Sequence, residues 1–174
     1  QLLKRPIERL IHKLTYFLLK KSYCQHLCVN NELKTYLHQQ GFKKNKVIYI
    51  QNGYNTTKTI IKTIKNKQDI ITFTKKFKKT ALFIGSGRSW HGCDQIINLI
   101  QPYKNLGLII IGPYQNTTSP QHLFINQITT NELEHIIHYC DFGISNFCWD
   151  MLDISEGSPL KSRQYLCNGL PILT

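Results

Sequence analysis

The sequence predicts an α/β fold whose parallel sheets are covered by helices on both faces. From residue 81 onward, short apolar runs alternate with segments of helical periodicity, which is typical of parallel strands joined by helices. The first third of the chain shows the same pattern once, as strand, helix, strand. With 174 residues, 41% of them hydrophobic, the chain can form one sizeable core or two small ones. This composition excludes disordered, collagen-like and disulfide-stapled proteins.

Four elements are predicted before residue 55. The first is an amphipathic helix with a basic face. This face either contacts a membrane or an acidic ligand, or is an ordinary solvated face. The elements are a helix over Pro6–Lys21, a strand at 26–29, a helix at 32–40 with Asn31 as N-cap and Gly41 as its end, and a strand at 47–50.

Residues 55–80 are rich in lysine and threonine and have few apolar side chains, so they are predicted to be a linker with some helical turns. The sharply periodic part of the chain follows. Its predicted elements are strand 81–84, helix 93–100, strands 108–111 and 123–125, helix 131–139, strand 142–145, helix 159–168 with Ser158 as cap and Gly169 as stop, and a strand from Pro171.

The chain has 22 Lys and Arg against 10 Asp and Glu, a formal net charge of +12. Nucleic acid, nucleotides and membrane surfaces therefore stay open as partners. Only four of these residues are arginine, and the lysine excess accompanies abundant Asn and Ile, as AT-rich coding alone would produce, so the charge carries little weight. The six cysteines lack the spacing of secreted domains and fit a reducing cytoplasm. No apolar run approaches the roughly 20 residues of a membrane helix.

Two loops are candidate anion sites, because ligands of parallel sheets bind at the carboxyl ends of strands, beside helix N-termini. Residues 85–92, GSGRSWHG, follow the predicted strand 81–84. Their small residues let the backbone approach a phosphate, and Arg88 adds a bidentate donor. The alternative is a tight turn with Trp90 packed over the core, since the dinucleotide and phosphate-loop patterns are both incomplete here.

The second candidate loop, residues 155–165 with the sequence SEGSPLKSRQY, leads into the predicted helix 159–168. Gly157 and Ser158 would supply backbone donors, and Lys161 and Arg163 place positive charge near the first turn. The Glu156 carboxylate could accept hydrogen bonds from sugar hydroxyls. The alternative is that Glu156 only complements the helix dipole, and these residues alone favour neither interpretation.

Several short sequence pieces occur in an order that is typical of one enzyme family. They are NG at 52–53, FIG at 83–85 with WHGCD at 90–94, IIG at 110–112, EL at 132–133 with CDFGIS at 140–145, and EGSPLK at 156–161 with YLCNGLP at 165–171. From about Gln25 to Thr174 the chain therefore resembles the group 1, family 4 glycosyltransferases. The SPLK segment followed by YL and GLP is the most specific part of the resemblance.

The resemblance implies a GT-B fold, in which two Rossmann-like domains face a cleft. Residues 1–55 would end the acceptor-side domain, residues 56–79 would be the linker, and residues 80–174 would begin the donor-binding domain. Because the chain starts at Gln1 and ends in what looks like a strand cut short, we expect an internal fragment with both domains incomplete and no activity of its own.

The family is a hexosyltransferase-type class of enzymes that use a nucleoside diphosphate sugar as donor and retain the anomeric configuration. Basic side chains and a helix N-terminus neutralise the diphosphate, so no metal and no cofactor is expected. The resemblance implies a glycan or lipid-linked acceptor and a role in polysaccharide or lipopolysaccharide assembly of the cell envelope. The expected location is the cytoplasm, where the basic first helix suits peripheral contact with an anionic membrane.

The resemblance also implies the site residues. Glu156 matches the first glutamate of the family's Glu-x7-Glu motif and is the expected catalytic residue. The second glutamate, which holds the ribose, is replaced by Gln164, and the lost charge implies weaker nucleotide binding or a degenerate site. His91 stands where the family often has lysine. The expected donor-binding residues are Gly85, Gly87, Arg88, His91, Gly157, Ser158, Pro159, Leu160, Lys161 and Gln164.

Two other classes stay open. A basic nucleic-acid-binding domain would place arginine and aromatic residues together on one face, whereas the lysines here are scattered, so no nucleic-acid partner is expected. A catalytically degenerate GT-B fragment is suggested by Gln164. Cys24, His26, Cys28 and His38 do not have the spacing of a zinc site, and no metal site is predicted.

Overall fold

The computed structural model describes residues 6–54, 66–115, 119–126, 128–148, 151, 157 and 159–174. They divide into two compact units, the first made of the described residues up to Asn52 together with Gly157, and the second of the described residues from Gly53 to Met151 and from Pro159 onward. Each unit has its own parallel sheet, so the predicted α/β architecture is confirmed.

The first unit contains helix α1 (Pro6–Lys21), strand β1 (His26–Cys28), helix α2 (Asn31–Gln39) and strand β2 (Val47–Tyr49). β1 and β2 pair in parallel, with Cys28 opposite Tyr49. The N-cap of α2 is Asn30 and not Asn31 as predicted, since Asn30 Oδ1 accepts the Leu33 N–H at 2.7 Å. Among the described residues, no helix has the length and apolar character needed to cross a membrane.

The second unit is built on a five-stranded parallel sheet with the order β5-β4-β3-β6-β7. Every strand and helix predicted after residue 80 is present, with ends shifted by at most two residues. The elements are α3 (Lys67–Thr74), β3 (Lys79–Ile84), α4 (Cys93–Ile100), β4 (Leu106–Ile111), β5 (His122–Ile125), α5 (Thr130–Ile137), β6 (Phe142–Ile144), α6 (Leu160–Cys167) and β7 (Ile172–Leu173).

Helices cover both faces of this sheet, as predicted. Leu82 of β3 points to the face where α3, α5 and α6 pack, in a cluster that includes Ile136 and Tyr165. Its neighbour Phe83 points to the opposite face, against Ile96 of α4. Successive residues of a strand alternate between faces, so one apolar run fills two cores.

The second half of the segment predicted as a linker with some helical turns, residues 56–79, contains a packed helix. Residues 67–74 form α3, and β3 already begins at Lys79. Ile70 and Phe73 are buried in the core of the second unit. They are the two buried residues of this helix, whose remaining residues apart from Ile71 are polar, which is why composition alone indicated a linker. Residues 55–65 lie outside the described residues.

The start of α6 also differs from the prediction. The helix begins at Leu160 with Pro159 at its N-cap position and without a side-chain cap. Ser158, the predicted cap, lies outside the described residues. Gly169 follows the helix with a φ of +75°, a left-handed conformation that suits the predicted stop.

Candidate functional site

The loop between β3 and α4 lies at the carboxyl end of the sheet and folds back on itself. Gly87 and Gly92 have positive φ values of 76° and 72°, and residues Ser89–His91 form a single 3-10 turn. The His91 Nδ1 atom accepts a hydrogen bond from the Ser86 N–H at 3.1 Å. His91 is therefore turned inward, against the backbone of the glycine segment.

Lys161 reaches this loop from the first turn of α6. Its Nζ donates a hydrogen bond to the Ile84 carbonyl at 2.9 Å and lies 4.3 Å from the centroid of the Phe83 ring. The next residue, Ser162, fixes the helix to the end of β6, because its hydroxyl lies 2.8 Å from the Ser145 hydroxyl in a buried contact. The ammonium group is thus held at the carboxyl end of β3.

The environment of Lys161 is unfavourable for a charge. Burial lowers the pKa of its ammonium group to about 7. No carboxylate of the described residues lies within ion-pair distance of Lys161. The ion pair that the described residues form joins Lys79 to Asp141. A buried ammonium without a counter-charge is costly, so an anion beside Lys161 would be stabilised.

Two further basic side chains share the loop. Arg88 is exposed, with its guanidinium carbon 5.6 Å from the centroid of the Trp90 ring. The pKa of His91 is lowered first by burial and then by the positive charges of Lys161 and Arg88. The loop therefore combines one exposed guanidinium, one imidazole whose pKa is lowered and one partly buried amine whose pKa is lowered to about 7.

A cavity of about 640 Å³ opens beside the loop, across the carboxyl ends of β3, β4 and β5 and the N-terminus of α5. Its size is in the range of small-molecule and cofactor sites. The cavity is lined by Ile84, Gly85, Ser86, Ile111, Gly112, Pro113, Asn126, Ile128, Thr129, Thr130 and Leu133.

The loops after β3 and β4 approach each other so closely that both need glycine. Gly112 has a φ of +137°, and a Cβ atom there would lie 2.0 Å from the Gly85 carbonyl oxygen. A Cβ on Gly85 would lie 1.9 Å from the Tyr114 hydroxyl. Glycine at these positions thus lets two strand ends and Tyr114 close around one small space.

Gln164 is almost completely buried, at 9% exposure, and its Nε2 atom has no hydrogen-bond partner. It lies beside Tyr54, whose hydroxyl donates to Glu134 Oε1 at 2.6 Å. Burial and this contact raise the pKa of Tyr54. Gln164 does not belong to the cavity lining within the described part of the chain, and its ribose contact stays a prediction.

The structure therefore brings five of the predicted residues together, namely Gly85, Gly87, Arg88, His91 and Lys161. Glu156 and Ser158 lie outside the described residues. Gly157 and Leu160 are exposed, and Pro159 is half-buried.

The sequence analysis missed Tyr114, Pro113, Asn126 and the pair Thr129 and Thr130. All of them follow β4 or β5, so the strand-end rule that selected residues 85–92 could have found them. The Thr129 and Glu132 side chains also form a reciprocal capping box on α5, which fixes one wall of the cavity.

No protein-family model matches this sequence, and no curated protein matches it. Two crystal structures of Anabaena HepE resemble the fold, one in complex with UDP and glucose at a TM-score of 0.62 and one in complex with UDP-glucose at 0.66. Each is 13% identical over 92% of this chain, which spans only 46–47% of their length. The likeness confirms the predicted α/β fold with parallel, Rossmann-like sheets of the GT-B type.

Proposed function

We propose that this chain is part of a glycosyltransferase and that its second unit binds the nucleoside diphosphate sugar donor. The observation that carries the proposal is Lys161, a partly buried amine held under a glycine loop with no described carboxylate to pair with. The ligands of the structural neighbours, UDP with glucose and UDP-glucose, support the same ligand class.

In this proposal the diphosphate lies against the loop between β3 and α4. Arg88 and Lys161 attract its charge, and His91 orders the loop through its contact with the Ser86 N–H. The cavity across β3, β4 and β5 receives the nucleoside, since its lining is largely apolar with a few polar groups. Side chains aimed at the leaving diphosphate would stabilise the charge that develops there during transfer. We propose that the reaction needs no metal and no other cofactor.

The assignment of the two units extends the proposal. Residues 1–55 belong to the acceptor-side domain and residues 80–174 to the donor domain. The acceptor is a glycan or a lipid-linked glycan in polysaccharide or lipopolysaccharide assembly, and the sugar is transferred with retention at the cytoplasmic face of the membrane. The resemblance supports these points.

Binding tests the proposal directly. The chain is titrated calorimetrically with UDP, UDP-glucose and other nucleoside diphosphate sugars, and with uridine as the matched ligand without phosphate. We expect at least one diphosphate to bind and uridine to bind much more weakly, because the charged contacts are made to the phosphates. Absence of binding by every nucleoside diphosphate would contradict the proposal.

Glu156 is proposed to contact the donor sugar. In a complete enzyme with both domains, Glu156→Ala is expected to abolish transfer and to leave nucleoside diphosphate affinity nearly unchanged, because the contact is to the sugar. Transfer assays and calorimetry measure the two effects separately. Undiminished turnover would remove Glu156 from the site.

Gln164 offers a second test. If it holds the ribose, Gln164→Glu should tighten nucleoside diphosphate binding about fivefold, since a charged acceptor strengthens a hydrogen bond by about 1 kcal/mol. Calorimetry compares the Gln164→Glu variant with Gln95→Glu, which adds the same charge on the exposed side of α4. Equal affinity of the two variants would place Gln164 outside the ribose site.

A catalytically degenerate relative is the second candidate, favoured by the amide at position 164, whose Nε2 lacks a partner. Such a protein would bind the donor and fail to transfer its sugar. Donor hydrolysis or transfer by the complete enzyme distinguishes the two.

A further inference from the structure

The His91 side chain closes the glycine loop, residues 85–92, on itself. Backbone hydrogen bonds within the loop, such as the one from the His91 N–H to the Arg88 carbonyl at 3.1 Å, join residues only three apart. The bond from the Ser86 N–H to His91 Nδ1, also at 3.1 Å, spans five residues and joins the start of the loop to its end. The imidazole therefore ties the two ends of the loop together.

This bond fixes where the imidazole carries its proton. Nδ1 accepts a hydrogen bond only when it holds no proton, so the neutral ring carries its proton on Nε2. The Tyr114 hydroxyl lies 3.5 Å from the same Nδ1, which is too far for a strong hydrogen bond. Gly85 leaves room for the ring, because a Cβ there would lie 2.8 Å from Nδ1. The contact with Ser86 is thus the one that a proton on Nδ1 breaks.

We propose that the neutral His91 imidazole keeps the glycine loop closed and that protonation of Nδ1 opens it. An imidazolium carries a proton on both ring nitrogens and offers no acceptor, whichever way the ring turns. Ser86 is exposed, so its released N–H turns to water. The consequence for binding rests on the proposed function, because an open loop no longer aligns its amides for a diphosphate.

The charged surroundings of His91 favour the closed loop at neutral pH. Burial lowers the pKa of His91, and the positive charges of Lys161 and Arg88 lower it further. The ring therefore gains its second proton only below the ordinary histidine value of about 6.5, and the loop opens as the pH falls through this lowered pKa. The titratable and charged groups around His91 are Arg88 of the same loop, Tyr114 after β4, Cys93 and Asp94 of α4, and Lys161 of α6.

The wild-type chain without ligand tests the contact directly, by NMR from about pH 7.5 to about pH 5. At the upper pH we expect His91 to carry its proton on Nε2 and the Ser86 amide to be protected from hydrogen exchange. As His91 is protonated, the protection factor of Ser86, corrected for the intrinsic pH dependence of exchange, should fall about two- to tenfold, the range of one neutral hydrogen bond. A proton on Nδ1 at neutral pH, or protection that stays constant while the ring titrates, would overturn the proposal.

Two variants separate His91 from a general effect of acid. In His91→Asn the Oδ1 atom can replace Nδ1 as acceptor and does not titrate, so Ser86 should stay protected over the same pH range. His138→Asn is the matched control, since it removes an exposed histidine at the end of α5. There the pH dependence at Ser86 should remain that of the wild type, and its loss would contradict the proposal.

Calorimetry with UDP-glucose tests the consequence for binding. Unlike UDP, this probe has no terminal phosphate that takes up a proton near pH 6. Charge alone predicts tighter binding in acid, since His91 gains a positive charge, whereas opening of the loop predicts weaker binding. For each protein, affinity at about pH 5.5 is divided by its own affinity at about pH 7. We expect this ratio to be about two- to tenfold lower for the wild type than for His91→Asn.

The two failures are distinguishable. If the wild type and His91→Asn bind UDP-glucose with the same ratio, or the wild type has the higher ratio, the role of His91 in closing the site is wrong and the proposed function stands. If neither protein binds any nucleoside diphosphate, the proposed function falls, and the NMR titration of the ligand-free chain still decides whether protonation of His91 opens the loop.

Discussion

Replacing Lys161 by methionine is expected to weaken nucleoside diphosphate binding by about tenfold to a hundredfold, because a charged hydrogen bond contributes about 1.5–3 kcal/mol. Thermal stability should be unchanged or higher in the same variant. The Lys161 ammonium group is partly buried without a described carboxylate partner, whereas methionine fills a similar volume without the cost of desolvating a charge. Calorimetry and thermal melting measure the two effects, and their opposite directions distinguish a binding residue from a structural one.

Lys104→Met is the matched control for this experiment. Lys104 is exposed, lies just before β4 at the opposite end of the sheet, and donates to the Gln101 carbonyl. The variant removes the same charge, so nucleoside diphosphate affinity should stay within about twofold of the wild type. Equal losses in the two variants would mean that net charge, and not the site, attracts the ligand.

Lys161 also predicts how nucleoside diphosphate binding depends on pH. The pKa of Lys161 is about 7 in the empty protein, so above this pH the amine is neutral and must take up a proton before it attracts a phosphate. Affinity should therefore fall as pH rises from about 7 to 9, by at most about tenfold for each pH unit. His91, Arg88 and Cys93 face the same space. The lowered pKa of His91 and the Cys93 pKa of about 12 keep these two groups from titrating in this window.

Replacing Gly112 by alanine is expected to lower the free energy of unfolding by about 3 kcal/mol or more. Two costs combine, since a φ of +137° is unfavourable for alanine and the added Cβ would lie 2.0 Å from the Gly85 carbonyl oxygen. The obstructing atom is backbone, so a side-chain rotation cannot relieve the contact. Urea denaturation monitored by circular dichroism measures the loss.

Substitutions of two other glycines measure the backbone strain and the steric contact separately. Gly169 has a φ of +75° and open space around its Cα, so Gly169→Ala should cost about 1 kcal/mol from backbone strain alone. Gly53 has open space and no left-handed φ, and Gly53→Ala should be neutral or slightly stabilising. If Gly112→Ala lowers the free energy of unfolding no more than Gly169→Ala does, the loops after β3 and β4 do not pack as closely as described here.

The sequence predicted the elements of the second unit because each buried strand is a short apolar run bounded by glycine or polar residues. It did not reveal α3, because Ile70, Ile71 and Phe73 are too few to show a helical period against the surrounding polar residues. The predicted N-cap of α2 was one residue off because Asn30 and Asn31 are both good capping residues. The hydrogen bond between the Asn30 side chain and the Leu33 N–H distinguishes them.

The site was only partly predictable for a different reason. Residues 85–92 were found because a glycine-rich segment directly follows a strand. The contact of Lys161 with Ile84 joins residues 77 positions apart and exists because β6 pairs with β3 and α6 packs beside β6. The position of Tyr114 over Gly85 does not follow from a local motif, since it depends on the order of the strands in the sheet.

The measurement that tests the central claim most directly is an NMR titration of isotope-labelled protein with UDP, resolved at each backbone amide. We predict that the largest shifts occur at Gly85, Ser86 and Gly87 and in the first turn of α6, because the diphosphate would lie between them. Shifts centred on Lys78, Lys79 and Asn105, at the opposite end of the sheet, would show that general charge binds the ligand and would contradict the account.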